Sequence, residues 1–235
     1  MALEKLSLLF ALSVLLYISA TPPNSAPSHK EISKYPRGDH LSGRTAAVSK
    51  TLTLSFIFCE ILVIISTHYP TNVFAEMTMA TLMRTSSHEF HLPATTPIFV
   101  VGFFLTLCGA YVRWSSYRAL GLLFTFELSI RDQHKLITTG PYSIVRHPSY
   151  TGAVSTCTGI LLCVFGPGSW IFECGWLDLL SIKILVVLVT AAHTTMVFLL
   201  LSRMGPEDKM MRKEFGLQWD EWAKNVSYKL VPGIF

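Results

Sequence analysis

Two strings in this chain have residue types and spacing suited to chemistry, and they lie far apart in sequence. The first reads His134-Lys-Leu136-Ile-Thr-Thr-Gly140-Pro-Tyr142-Ser-Ile-Val-Arg146-His147-Pro148-Ser-Tyr150-Thr-Gly152. Gly140-Pro141 predicts a tight turn, because Gly supplies a permissive backbone and Pro fixes φ. Pro148 suits the first position of a helix, which places Arg146 and His147 at its mouth. Free backbone N–H groups and the helix dipole there would favour an anion. Gly152, on the first turn, would let a ligand or a second helix approach closely. The second string reads Arg203-Met-Gly-Pro206-Glu207-Asp208, followed by Phe215-Gly216, Trp219 and Trp222. Pro206 can open a short helix whose first turn carries both carboxylates. Met210, Met211, Phe215, Trp219 and Trp222 recur at helical spacing, as expected of a face packed on a bundle or a bilayer surface.

The elements that must position these strings are apolar. Of the 235 residues, 51% are hydrophobic and only 14% charged, with a mean hydropathy of +0.45. A soluble domain normally carries about a quarter charged residues. These values predict an all-α, multi-spanning membrane bundle, since roughly 20 apolar residues cross a bilayer as a helix. Five spans are predicted: Leu6–Ala20, Leu52–Thr67, Pro97–Val112, Thr151–Phe165 and Trp176–Ser202. The first could also be a cleaved signal peptide, because it is short and ends in small residues, but its barely positive start favours a retained span. Val73–Met83 is too short and polar for a span and suits an interfacial helix. The chain divides by this pattern into N-terminal spans and loops, 1–113, and a C-terminal core, 114–235, made of a loop, a helical hairpin and a helical tail.

Positive residues concentrate in alternate loops. Lys30, Lys34, Arg37, Arg44 and Lys50 lie in the first, Arg113, Arg118, Arg131, Lys135 and Arg146 in the third, and six Lys or Arg residues follow Ser202, whereas the second loop holds only Arg84. By the positive-inside rule, the third loop and the tail then meet on the cytosolic face. Asn225-Val226-Ser227 is a glycosylation sequon that should stay unused in that topology. A net charge of +4 spread over such loops does not make the basic face that a nucleic-acid binder needs. The five cysteines show no CxxC pair or Cys/His spacing for a metal. Glu60 and His193 fall at membrane depth, where a charge costs ~2.5–3.5 kcal/mol, and are expected to face the bundle interior and bridge helices.

From about Gly121 to Phe235 the chain resembles the isoprenylcysteine carboxyl methyltransferase family. The pattern H-x-L-x-T-x-G-x-Y-x-x-x-R-H-P-S-Y-x-G, a helical hairpin, then R-x-x-x-E-[DE] and F-G-x-x-[YW]-x-x-[YW] carries the resemblance. Asp208 stands where that family usually has glutamate, and Trp219 and Trp222 where tyrosine is common. The resemblance implies transfer of a methyl group from S-adenosylmethionine to the carboxylate of a prenylated C-terminal cysteine, at the endoplasmic reticulum membrane with the site facing the cytosol. The implied partners are CaaX-processed prenylated proteins or peptides and membrane lipid, with no nucleic acid and no metal. Carried over residue by residue, it implies cofactor binding by Leu136, Tyr142, Arg146, His147, Tyr150, Gly152 and Glu207, and catalytic roles for Arg203 and Glu207.

The chemistry fits those types. A carboxylate is ionised at neutral pH, so its methylation needs no general base. It needs in-line approach to about 3–3.5 Å and a bidentate cation such as Arg203 to orient it. His147 or Arg146 can balance the cofactor's carboxylate, Glu207 can accept from its ammonium or ribose, and Tyr150 or Leu136 can carry the adenine. Alternatives are a methyltransferase for another lipid-like acceptor, an NADPH-dependent reductase of the membrane sterol type, which shares an arginine-histidine-tyrosine-glycine string, and a non-enzymatic membrane protein on the same scaffold.

Overall fold

A computed structural model describes residues 2–26, 42–84, 92–126 and 135–234. His134, Arg131, Lys30, Lys34, Arg37 and Phe235 lie outside them. The described residues form nine α-helices and short 3-10 turns, without strands: α1 Ala2–Ala20, α2 Ser42–His68, α3 Val73–Leu82, α4 Pro97–Leu120, α5 Pro148–Phe165, α6 Trp170–Glu173, α7 Leu180–Ser202, α8 Met204–Phe215 and α9 Leu217–Asn225. Five helical stretches, beginning in α1, α2, α4, α5 and α7, are long and apolar enough to cross a membrane. The expected multi-spanning helical architecture is therefore present.

Helix boundaries follow local chemistry. Pro97 starts α4, with the Thr96 hydroxyl accepting from the Phe99 N–H, and Pro148 starts α5; each lacks the N–H that the first turn could not use. The Asn72 side chain caps α3 by accepting from the Phe74 N–H. Pro206 has no N–H for the carbonyl of Ser202, so α7 yields to α8 there with only a slight break. Gly216, at φ +56°, separates α8 from α9.

Several boundaries differ from the hydropathy pattern; α2 begins at Ser42 rather than Leu52, so Arg44 and Lys50, counted as loop charges, lie within it. The fifth span begins at Leu180, because Gly175 adopts a left-handed φ of +73° and Trp176–Asp178 turn as a 3-10 segment. The third continues to Leu120, and Arg113, counted above as a loop charge, is buried within it. Its charge is met inside the protein by carbonyls, a compensation that hydropathy does not register.

Contacts group the chain into two compact units, each drawn from three stretches. The first comprises Met1–Tyr17, Ser49–Leu107 and Thr156–Thr194. Its core sets Val63 against Trp170, Ile171 and Cys174, flanked by Phe56, Phe165 and Trp176. Lys5 is fully buried and pairs with Glu60 at 2.5 Å. The same ammonium donates to the Gly168 carbonyl at 2.7 Å and lies over the Phe99 ring, while Glu60 accepts from the Trp170 N–H. His193 bonds the Val189 carbonyl through Nδ1 and Ser49 through Nε2 at 2.7 Å. Both membrane-depth polar residues thus bridge helices.

The second unit comprises Ile18–Val48, Cys108–Ser155 and Thr195–Phe235. Here α4 and α5 touch backbone to backbone: a Cβ added at Gly152 would meet the Gly109 carbonyl oxygen at 2.6 Å. Both chemical strings fall in this unit.

Candidate functional site

The site is built where the start of α5 meets the start of α8. Its first layer is a shared carboxylate. Asp208 accepts from Arg146 Nη1 at 3.0 Å and faces His147 Nε2 at 3.0 Å with its other oxygen. With Asp208 ionised, His147 Nε2 carries the proton and donates it. The second layer is Glu207, whose Oε2 accepts from the Tyr150 hydroxyl at 2.5 Å. His147 Nδ1 stands 3.9 Å from that oxygen, beyond hydrogen-bond range. The rings of His147 and Tyr150 stack at 5.3 Å with an interplanar angle of 15°. Residues about sixty apart in sequence are thereby locked together, each carboxylate of the acidic pair holding its own part of the first string.

The tail completes this arrangement through its backbone. The Arg146 N–H donates to the Tyr228 carbonyl at 3.0 Å and the His147 N–H to the Lys229 carbonyl at 2.8 Å. Arg146 Nη2 reaches the Ser227 carbonyl, and the Thr151 hydroxyl reaches that of Leu230. Two of the N–H groups expected to be free for an anion at this helix mouth, those of Arg146 and His147, are thereby occupied by the chain itself.

Tyr142 lies in the 3-10 turn Gly140–Ser143, where Gly140 takes a φ of +63°. Its carbonyl accepts from the Trp222 indole at 3.1 Å, which ties α9 to this turn. Burial first, and the nearby Glu207 charge second, push the Tyr142 phenol well above its ordinary range, while the Ser116 hydroxyl and Arg113 oppose the shift. The phenol is a permanent neutral donor at physiological pH. Arg203 sits at the α7–α8 junction, with Nη1 on the Phe126 carbonyl at 3.0 Å. Leu136 is half-buried in the irregular segment before the turn and joins none of the cluster's hydrogen bonds. Gly152 admits a helix: its open side faces Gly109 and Arg113 of α4.

The structure therefore gathers Arg146, His147, Tyr150 and Glu207 around the acidic pair, sets Tyr142 within reach of the Glu207 charge but outside their hydrogen bonds, and places Arg203 four residues before Glu207. Sequence reasoning assigned Asp208 no role, although it is the group that both Arg146 and His147 contact. Its place beside Glu207 was the available signal. Arg113 and the carbonyls of 227–230 carried none, since backbone acceptors have no residue signature.

Residues 100–186 match the model of the isoprenylcysteine carboxyl methyltransferase family. Among relatives, a "Probable protein-S-isoprenylcysteine O-methyltransferase" of Oryza sativa subsp. indica is 29% identical over 129 residues, covering 54% of this chain and 57% of the relative. "Protein-S-isoprenylcysteine O-methyltransferase B" of Arabidopsis thaliana is 26% identical over 127 residues, covering 53% and 55%. The chain spans about half the length of the curated relatives it matches. The likeness to the isoprenylcysteine carboxyl methyltransferase family is thus met by the comparisons, with the matched residues containing the first string and ending before the second.

The cluster fits the cofactor that such a family implies. Arg146 Nε is buried and meets no acceptor among the described residues. Glu207 keeps 28% of its side chain exposed, and no hydrogen bond to its Oε1 occurs among those residues. One unmet cationic donor and one open carboxylate oxygen suit a ligand that bears both a carboxylate and an ammonium or hydroxyl groups. No cluster of metal-binding side chains occurs among the described residues.

Proposed function

We propose that this chain methylates the C-terminal carboxylate of prenylated cysteine in proteins or peptides, using S-adenosylmethionine. The observation that carries this reading is the joining of the two strings: Arg146 and His147 on Asp208, and Tyr150 on Glu207. The matches are to methyltransferases, which favours methyl transfer over the reductase alternative.

When bound, S-adenosylmethionine supplies an electrophilic methyl group on a sulfonium. Arg146 offers its buried Nε–H to the cofactor's carboxylate, with Asp208 holding the guanidinium in place. Glu207 accepts from the ammonium or ribose hydroxyls, and Tyr150 fixes its rotamer. The neutral Tyr142 phenol adds a donor without adding charge. Arg203, anchored on the Phe126 carbonyl, orients the acceptor carboxylate. That carboxylate is ionised at neutral pH, so no side chain has to remove a proton. Holding both reactants in line can supply about 7–11 kcal/mol of the barrier. A prenyl chain enters from lipid, and the site faces the cytosol at the endoplasmic reticulum membrane, as the positive loops suggest.

The test is methyl transfer from radiolabelled S-adenosylmethionine to a farnesylated cysteine analogue in membranes containing this chain, with His147→Ala as control. Base-labile label on the analogue, absent in the control, is expected. Specific cofactor binding without transfer would move the acceptor to another lipid, and the absence of both would overturn the proposal.

A further inference from the structure

Arg113 is a charged residue inside an apolar helix, with 7% of its surface exposed. Such residues are costly within a membrane and persist where their donors are met. Its Nε donates to the Ser19 carbonyl and the Tyr117 hydroxyl, each at 2.7 Å, and Tyr117 itself donates to Ser19 at 2.8 Å. The guanidinium lies over the Tyr117 and Phe126 rings. Its remaining described bond runs from Nη1 to the Ser149 carbonyl at 3.2 Å. Ser149 lies between His147 and Tyr150 on the first turn of α5.

We propose that Arg113 is a positioning residue for this site: gripping Ser149 and lying against Gly152, it sets the first turn of α5 and with it the His147 and Tyr150 rings. The Gly152 notch makes the contact specific. A Cβ there would meet Arg113 Cγ at 2.8 Å, so the arginine stem occupies space that any other residue at 152 would fill. The reach to Ser149 therefore starts from a stem already seated against the same turn. Arg113 touches neither Asp208 nor Glu207 in any described bond; it acts through α5. That placement gives the stacked rings two supports, the tail carbonyls on the Arg146 and His147 amides and Arg113 beneath Ser149.

The positioning claim stands on the ligand-free protein; only its activity arm rests on the function proposed above. The decisive readout is hydrogen–deuterium exchange of amides 146–153 in the purified full chain without cofactor, for wild type, Arg113→Met and Arg113→Lys. Arg113→Met is expected to speed exchange in this segment at least tenfold and leave α2 and α7 unchanged, with partial recovery in Arg113→Lys. Should Arg113→Met fail to fold, Tyr117→Phe removes one brace and is expected to give a smaller increase confined to the same segment. Ser49→Ala, which removes a bridge in the other unit, serves as the control and leaves 146–153 unchanged. In methyl-transfer assays, Arg113→Lys is expected to lower kcat/KM tenfold to a hundredfold, in keeping with small misplacements at a reacting centre. Its effect combined with Tyr150→Phe is expected to be less than additive, because both act on one turn. Unchanged exchange at 146–153, a rise spread over all helices, or strict additivity would overturn the inference. Local exchange as expected without any methyl transfer in wild type would instead count against the proposed activity alone.

Discussion

Replacing Asp208 with asparagine isolates the contact on which the cluster turns. In the wild type one carboxylate serves two donors, Arg146 Nη1 and His147 Nε2, both at 3.0 Å. Asparagine retains one accepting oxygen, and its amide nitrogen must face the other donor. A hydrogen bond to a charged group contributes about 1.5–3 kcal/mol, and a buried donor left unmet adds to the loss. Side-chain exposure is 15% for Asp208 and 14% for Arg146, so water offsets part of the cost. About 2–3 kcal/mol remains, a factor of ~30–150 in an equilibrium constant. The loss falls on the arrangement of Arg146 and His147 that receives the cofactor, so it is read as affinity. Equilibrium binding of S-adenosylmethionine to the purified chain is expected to weaken at least tenfold in Asp208→Asn. Asp208→Glu, which restores the charge at a longer reach, is expected to recover part of it. A binding constant within twofold of wild type, with turnover unchanged and the protein folded by thermal melting, would refute the role given to Asp208.

Other perturbations act on separate parts. Tyr150→Phe removes the donor to Glu207 and is expected to weaken cofactor binding about tenfold, the scale of one charge-assisted bond, and to lower the melting temperature by about 2–4 °C per kcal/mol lost. Lys5→Met leaves the Glu60 carboxylate buried without its cation and is expected to cost about 3–5 kcal/mol in detergent unfolding; Lys5→Met with Glu60→Leu is expected to cost less than the single change. Tyr142, whose folded-state pKa is raised, contributes stability that is complete below the unfolded value near 10 and is lost as pH rises beyond it. Melting curves from pH 8 to 12 are expected to fall more steeply for wild type than for Tyr142→Phe.

Much of the architecture was legible because hydropathy and helix-start residues report on local physics. Pro97 and Pro148 begin helices as their missing N–H requires, whereas Pro206, expected to open α8, stands third in a helix that starts at Met204, with Glu207 alone of the acidic pair in its first turn. Legibility failed where an outcome depended on a distant partner. Arg113 looks like a loop charge until the Ser19 and Ser149 carbonyls are placed beside it. The N–H groups of Arg146 and His147 look available until residues 228–229 fold back onto them. Gly152 permitted either a ligand or a helix, and only the position of Gly109 decides that α4 is the visitor. Glu60 and His193 were readable as bridges in kind, because a polar group at that depth must find a partner, but Lys5 and Ser49 were not identifiable as those partners from spacing.

The backbone carbonyls of 227–230 also bear on the order of events during biosynthesis. Translation delivers α5 to the membrane long before these residues emerge from the ribosome. Until then the amides of Arg146 and His147 lack the acceptors they meet in the finished protein. A nascent chain therefore holds the span of α5 before it can close the hydrogen bonds at that helix's start, and the site is completed only once residues 227–230 have docked.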